Sequence, residues 1–277
     1  MKRFGRKAIA AVAAASAILA LSACAVGQKG GGAGGEDLLA KVKNSGKITV
    51  SMNIANEPWA TRSSSGDTYE GFVIDLVDGF AKEMGVDVDY KPLEFSSLIP
   101  ALENGRADMI VGNISRTAER GGTILFTEPI GKSEGVAIVR TGEYSTLDQI
   151  NSAEVRITTE AGSVHEEAGV ATFPDAQMAP VTSTANAIAA LDANRADVFL
   201  SDATIAATLD PNKYDTLEEP IFVDSFAFGL RLSTDSATFK AAFDNYLQLL
   251  KLNGGYNDLH EKYFGVPWDP TFLEEGV

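Results

Sequence analysis

Residues 101–113 read ALENGRADMIVGN, and residues 190–202 read ALDANRADVFLSD. Each copy holds an apolar helix end, a polar turn, Arg-Ala-Asp, a short and mostly apolar run, and a polar tip. The runs Met109 to Gly112 and Val198 to Ser201, at their limits, have the mostly apolar character of strands buried on both faces, as in parallel sheets. The repeat therefore predicts two similar α/β layers. In open α/β sheets, small ligands bind beyond the carboxyl ends of the strands, which makes the two tips the candidate ligand-facing positions.

The first tip carries Asn113, Ser115, Arg116 and Arg120. A guanidinium suits a carboxylate because its planar fork can bind both oxygens, and spacing alone leaves Arg116 and Arg120 both in play. The second tip carries Asp202, able to accept from an ammonium group. An aspartate at a strand end also caps helices, and Ala203 onward reads as helical. A cation on one layer facing an anion on the other describes a cleft for a zwitterion, of which an amino acid is the commonest.

The chain has 277 residues, 45% hydrophobic and 22% charged, with a formal net charge of −15. These are globular values with room for two domains. So acidic a chain lacks the basic footprint that nucleic-acid phosphates require. Residues 1–23 combine a basic start (Lys2, Arg3, Arg6, Lys7) with an apolar run from Ala8 to Leu21, too short for a retained membrane helix and typical of an export signal. Its end, Leu21-Ser22-Ala23-Cys24, resembles the bacterial lipobox, in which the cysteine becomes the lipidated first residue. Cys24 is the single cysteine, so no intramolecular disulfide is expected. Residues 24–46, in which the glycine-rich AVGQKGGGAGGED follows Cys24, are expected to form a flexible tether.

Lys47 to Met52 alternates as a strand and ends at Asn53. Trp59 follows, readable either as a ligand-stacking aromatic or as a packing residue. Phe72, Leu76, Val77, Phe80 and Met84 fall at helical spacing, and Val86 to Tyr90 is the next strand. Ser96 is a candidate N-cap, with Phe95 before it at the same cleft edge, as pocket wall or core. In the second half, Val155 to Thr159 and Gln177 to Val181 read as strands and Ala185 to Leu191 as a helix. Gly162 and Ser163 open a helix whose amides form a ready anion site. His165 and Glu166, just inside it, are expected to be solvated.

The segments GFVIDLVDGFAKEMGV (71–86), LEFSSLIPALENGRADMIVGNIS (93–115), TAER (117–120) and LKLNGGYNDLHEKYFG (250–265) resemble the family 3 solute-binding proteins, the polar amino-acid receptors of ABC transporters. The likeness runs in order from about Lys47 to Gly265. It implies a two-lobed, type II periplasmic-binding-protein-like α/β fold, each lobe a mostly parallel sheet flanked by helices, with ligand trapped between lobes. Lobe one would comprise residues 47–132 plus 227–277, and lobe two 133–226. The chain would cross at Phe126–Ile130, followed by EGVAIVR (134–140), and return through Phe222 to Leu232. Within this resemblance Arg120 takes an α-carboxylate with help from Ser115 and the main chain near Asn113. Asp202 takes the ammonium, and Thr158, Gly162 and Ser163 form the second-lobe contact segment. Phe95 and Asn53 fall on side-chain-contacting positions. Asn56 departs from the family's usual aromatic, which Trp59 would have to replace.

The resemblance implies a monomeric, lipid-anchored, extracytoplasmic receptor working with an ABC permease, with no cofactor and no metal. A sensor for a membrane signalling partner is the first alternative. A dehydratase-like enzyme on the same fold is the second, with Glu57 or Glu160 able to move a proton. No HExxH, GxSxG or cysteine nucleophile is present. Gly131-Lys132-Ser133 is no phosphate loop, because the first glycine of that motif falls on Phe126.

Overall fold

The computed structural model describes residues 36–54 and 56–269. The expected leader, Cys24 and residues 270–277 lie outside them. The first lobe begins with α1 (Leu38–Ser45), β1 (Lys47–Met52), the short pair β2 (Thr61–Arg62) and β3 (Tyr69–Glu70), α2 (Phe72–Met84) and β4 (Asp87–Pro92). It continues through α3 (Leu98–Glu103), β5 (Met109–Val111), α4 (Ala118–Gly121) and β6 (Ile124–Phe126). The second lobe holds β7 (Gly131–Arg140), α5 (Leu147–Ile150), β8 (Arg156–Thr158), α6 (Val164–Thr172), β9 (Gln177–Met178), α7 (Thr184–Asp192), β10 (Val198–Asp202), α8 (Ala203–Ala206), β11 (Tyr214–Thr216) and β12 (Phe222–Phe226). The chain then returns as β13 (Gly229–Arg231), α9 (Ala237–Leu252) and α10 (Gly255–Phe264).

The first sheet has the order β4-β1-β5-β13-β6 and the second β11-β7-β10-β8-β9, with β12 also paired to β7. Both are mixed, where mostly parallel sheets were expected. β5 runs parallel to β1 but antiparallel to β13, and β10 runs parallel to β8 but antiparallel to β7. The antiparallel neighbours are strands next to the crossings. A chain that passes directly from one lobe into the other's sheet has no crossover helix to turn it around, so it enters antiparallel. The crossings lie side by side: Ile130 N donates to Phe226 O at 2.8 Å and Thr127 N to Phe228 O at 3.0 Å, and β7 and β12 then pair from Gly131↔Phe226 to Gly135↔Phe222.

The repeat is a repeated turn. Arg106 N donates to Ala101 O and Arg195 N to Ala190 O, while Gly105 N and Asn194 N donate to Leu102 O and Leu191 O. Gly105 has φ 67° and Asn194 φ 52°, the left-handed conformation that glycine and asparagine tolerate best at a helix end. The aspartates that follow do the same work in both lobes. Asp108 Oδ2 accepts Thr49 N at 3.0 Å in β1, and Asp197 Oδ2 accepts Arg156 N at 2.9 Å in β8. Lys41 closes on Asp108 Oδ1 at 2.6 Å. Replacing Asp108 by Ala leaves the Thr49 amide and Lys41 without this partner, and should destabilise the fold by about 2 kcal/mol. An unchanged urea midpoint would contradict that.

Three local expectations are corrected. The tether does not run to residue 46: α1 is capped by Asp37 Oδ1, which accepts Ala40 N at 3.0 Å, and it buries Leu38 and Val42 against the body. Ser96 is not the cap of α3, because a 3-10 turn over Phe95–Ser97 intervenes and the boundary falls at Ser97 without a capping bond. Trp59 is buried, 2% exposed, with its ring edge-on to Phe72, Phe226 and Phe264 at 5.8, 5.3 and 5.0 Å. Its indole N–H reaches Thr204 Oγ1 at 3.3 Å, on α8 of the other lobe. The helical stripe of α2 packs as its spacing predicts, with Phe80 against Phe239 and Phe243 of α9.

Candidate functional site: the cleft between the lobes

The carboxyl ends of β1, β5, β8 and β10 meet across a small polar cavity of about 20 Å³. The first lobe contributes Asn56, Phe95, Asn113 and Ser115. The second contributes Thr159, Glu160, Ser163, His165, Thr184 and Asp202, with Phe199 to Ser201 behind. An apolar neighbour of about 100 Å³ shares Phe95 and is closed by Gly162. Gly162 has φ 76°, and a Cβ there would stand 3.3 Å from Ser96 Cα, so a side chain would obstruct this approach of the lobes.

Equivalent residues of the repeat touch. Asn113 Nδ2 donates to Asp202 Oδ2 at 2.6 Å, and Asn56 Nδ2 donates to Asn113 Oδ1 at 2.7 Å. Asp202 is 2% exposed and precedes α8, yet its side chain makes no capping bond. Its Oδ1 has no hydrogen-bond partner and stands 3.4 Å from His165 Nε2, which also lacks one. The capping alternative for Asp202 is thereby set aside. A buried carboxylate with an unpartnered oxygen is costly unless something pairs with it.

The choice between the two arginines is made by burial. Arg116 is exposed, whereas Arg120 is 8% exposed. Its Nη1 donates to Ser115 O at 3.3 Å and its Nη2 crosses to Gly162 O at 2.9 Å. The guanidinium carbon lies 5.6 Å from the Phe95 ring centroid, within cation–π range. Burial pulls the Arg120 guanidinium below its usual range, against the opposing carboxylates of Glu167, Asp224 and Glu119. A further interlobe bond runs from Asn53 Nδ2 to Glu160 Oε1 at 2.8 Å.

Several sequence-derived positions move. Trp59 belongs not to this cavity but to a groove of about 770 Å³ at the crossings, with Gly131 to Glu134 and Phe264. It therefore does not stand in for the aromatic missing at Asn56. Thr158 turns away, its Oγ1 donating to Ala179 O at 2.9 Å. Thr159 faces the cavity instead, with Oγ1 on Leu200 O at 3.0 Å and near Ser163 Oγ at 3.3 Å. The Gly162 amide already donates to Glu166 Oε2 at 2.8 Å, so that member of the expected anion site is occupied by its own helix. His165 is buried rather than solvated, with its ring 5.1 Å from Phe222. Glu57 is exposed.

Two acids were not among the candidate binding residues. Burial pushes Glu160 up to about 7, only partly offset by the Asn53 bond and by His165, and reinforced by the charges of Asp202 and Glu94. Burial likewise pushes Asp224 of β12 up to about 6, against the pull of Ser115 and with a push from Asp202. Polar character at a strand tip was the available signal for Glu160. Nothing local marks Asp224.

Glu160 therefore binds more protons folded than unfolded between its ordinary value near 4.5 and about 7. Stability from this group is complete below the lower value and is lost as pH rises through the upper one. Glu160→Gln mimics the protonated state. Denaturant titration of ligand-free protein should find the variant more stable than the parent at pH 8, by up to about 3 kcal/mol, and matched to it near pH 4.5. Equal stability at both pH values would contradict the burial-driven shift.

Comparison with known proteins gives the family and the fold. The family model described as bacterial extracellular solute-binding proteins, family 3, matches residues 48–266. A probable histidine-binding protein of Neisseria gonorrhoeae is 28% identical over 267 residues, covering 94% of this chain and 96% of that protein. The ABC transporter glutamine-binding protein of Bacillus subtilis is 24% identical, covering 92% and 95%. Among solved structures, an amino acid ABC transporter substrate-binding protein from Streptococcus pneumoniae bound to L-arginine superposes with a TM-score of 0.77 at 24% identity, covering 84% of this chain and 100% of that one. An ancestral amino acid-binding protein described as a precursor of cyclohexadienyl dehydratase also gives 0.77 at 24% identity, covering 82% and 99%. At these identities the structural likeness speaks for the fold.

Proposed function

The chain belongs to the bacterial extracellular solute-binding proteins, family 3, and from that premise we propose that it captures an amino acid between its lobes and delivers it to an ABC importer. The observation that carries this reading is the Asp202 carboxylate, buried at the lobe boundary with one oxygen unpartnered and no capping bond to the helix that follows it. It takes the α-ammonium. Arg120, on the opposite lobe, takes the α-carboxylate together with Ser115, exchanging its bond to the Gly162 carbonyl for a charged acceptor. Phe95 walls the cleft beside the guanidinium, and Asn53, Asn56 and Asn113 supply donors and acceptors on the first lobe.

In this reading the pairs Asn113–Asp202 and Asn53–Glu160 close the lobes on each other, and a ligand enters by replacing them with stronger charge-assisted bonds. Ligand shifts the population toward closure because its contacts with the second lobe exist only there. The side-by-side crossings are the hinge. Lipidation of Cys24 would hold the protein at the outer face of the membrane, near a permease; the support for that step is the lipobox-like sequence.

Thermal-shift screening of the twenty amino acids tests the reading. At least one should raise the midpoint by several degrees and be recovered unchanged by mass spectrometry. A flat response to all twenty would refute capture of an amino acid, and chemical conversion of the ligand would indicate an enzyme.

A further inference from the structure

On the reading that this cleft holds an amino acid, we propose that the ligand's side chain is cationic and that the Glu160 carboxyl, positioned by Asn53, is the group that recognises it. The balance of charge in the cleft points to this. The cleft gathers one permanent cation, Arg120, and three buried or half-buried acids: Glu160, Asp202 and Asp224. An amino-acid backbone pairs with one of each, Arg120 with its carboxylate and Asp202 with its ammonium. Among the described residues Glu160 then remains with His165 as its basic neighbour, while Asp224 shares the fields of His165 and of the Arg120 that the ligand's carboxylate would occupy.

The atoms that lack partners point the same way. Asp202 Oδ1 has no hydrogen-bond partner and stands 3.4 Å from His165 Nε2, and Asp224 Oδ2 is also without a donor. The Glu160 side chain has one hydrogen-bond donor among the described residues, the amide of Asn53. A neutral or acidic ligand side chain would leave these carboxyls desolvated and unneutralised, and an acidic one would add a like charge. A guanidinium or ammonium supplies both the missing donors and the missing charge. Asn53 suits this role because its own acceptor oxygen adds to the carboxylate instead of opposing it. Burial raises the proton affinities of Glu160 and Asp224, with a smaller push from Asp202, and a ligand's cation beside them would favour their charged forms.

The test compares cations with neutral counterparts, L-arginine with its isostere L-citrulline and L-lysine with L-norleucine, which lacks the ammonium, titrated calorimetrically at pH 8 into the parent and into Glu160→Gln. In the parent, one cation should bind at least tenfold more tightly than its neutral counterpart, and Glu160→Gln should remove most of that preference while leaving measurable binding. The proposal is overturned if citrulline or norleucine matches its cationic counterpart, if glutamine or glutamate binds more tightly than either cation, or if the variant keeps the full preference. Binding of a neutral amino acid in place of the cations would sink this proposal and spare the receptor reading. Failure of every amino acid to bind would sink both.

Discussion

Replacing Asp202 by Ala should weaken amino-acid binding by about a hundredfold while leaving the ligand-free protein as stable as before, or slightly more so. A hydrogen bond to a charged group contributes about 1.5–3 kcal/mol, and every 1.4 kcal/mol is a factor of ten. Asp202 would make more than one such contact with an ammonium. In the ligand-free protein it has little to lose: it caps no helix, accepts from Asn113 alone, and carries a buried oxygen with no partner. Truncation removes that cost of desolvation, as expected of a site where function is held against stability. Calorimetric titration and thermal unfolding on the same preparations distinguish the outcomes. Retained affinity, or a collapse in stability that accounts for lost affinity, would remove Asp202 from the ligand site.

Arg120→Ala should cost at least tenfold in affinity and Arg120→Lys nearly as much. The guanidinium works as a fork. One nitrogen holds the Ser115 carbonyl on its own lobe and another reaches the Gly162 carbonyl on the opposite lobe, which aims the remaining N–H groups and the charge. A lysine ammonium cannot reproduce that planar spacing. Because the Gly162 bond also joins the lobes, both variants should shift the ligand-free protein toward a more open form, seen as a larger radius of gyration in small-angle scattering. A lysine variant with parental affinity would show that charge alone suffices and that the fork geometry is incidental.

The two substitutions act on residues whose importance could be read at different depths. Arg120 and Asp202 sit at or just beyond the tips of a repeat whose physics is local. A left-handed residue at Gly105 and Asn194, a following Arg-Ala, and an aspartate that clamps the neighbouring strand recur within a dozen residues. Local rules of this kind leave a periodic mark on the chain, and so do the apolar stripe of α2 and the strand β1. Thr158 and Thr159 mark where such rules lose precision. Side chains alternate along a strand, so an error of one residue exchanges the buried face for the cavity, and only the bond from Thr158 Oγ1 to Ala179 O shows which is which.

Trp59 fails for a different reason. An aromatic after a strand end packs wherever the largest apolar surface lies, and that surface is assembled from Phe72, Phe226 and Phe264, distant in the chain. His165 follows the same logic, buried by Phe222 and Asp202 although Glu166 and Glu167 follow it directly.

By itself, the sequence determined that the chain folds as paired α/β units, that opposite charges stand at their tips, and that the whole is acidic, because each follows from interactions between residues near in sequence or from composition. Tertiary structure alone decided that Asn113 meets Asp202 and that Glu160 and Asp224 join the same cleft, and it buries Arg120, the arginine that the resemblance had implied, rather than Arg116. Those outcomes depend on burial, which desolvates a charge only after segments up to about a hundred residues apart have come together. The balance of charge inside the cleft is thus a property of the closed fold and of no stretch of the chain.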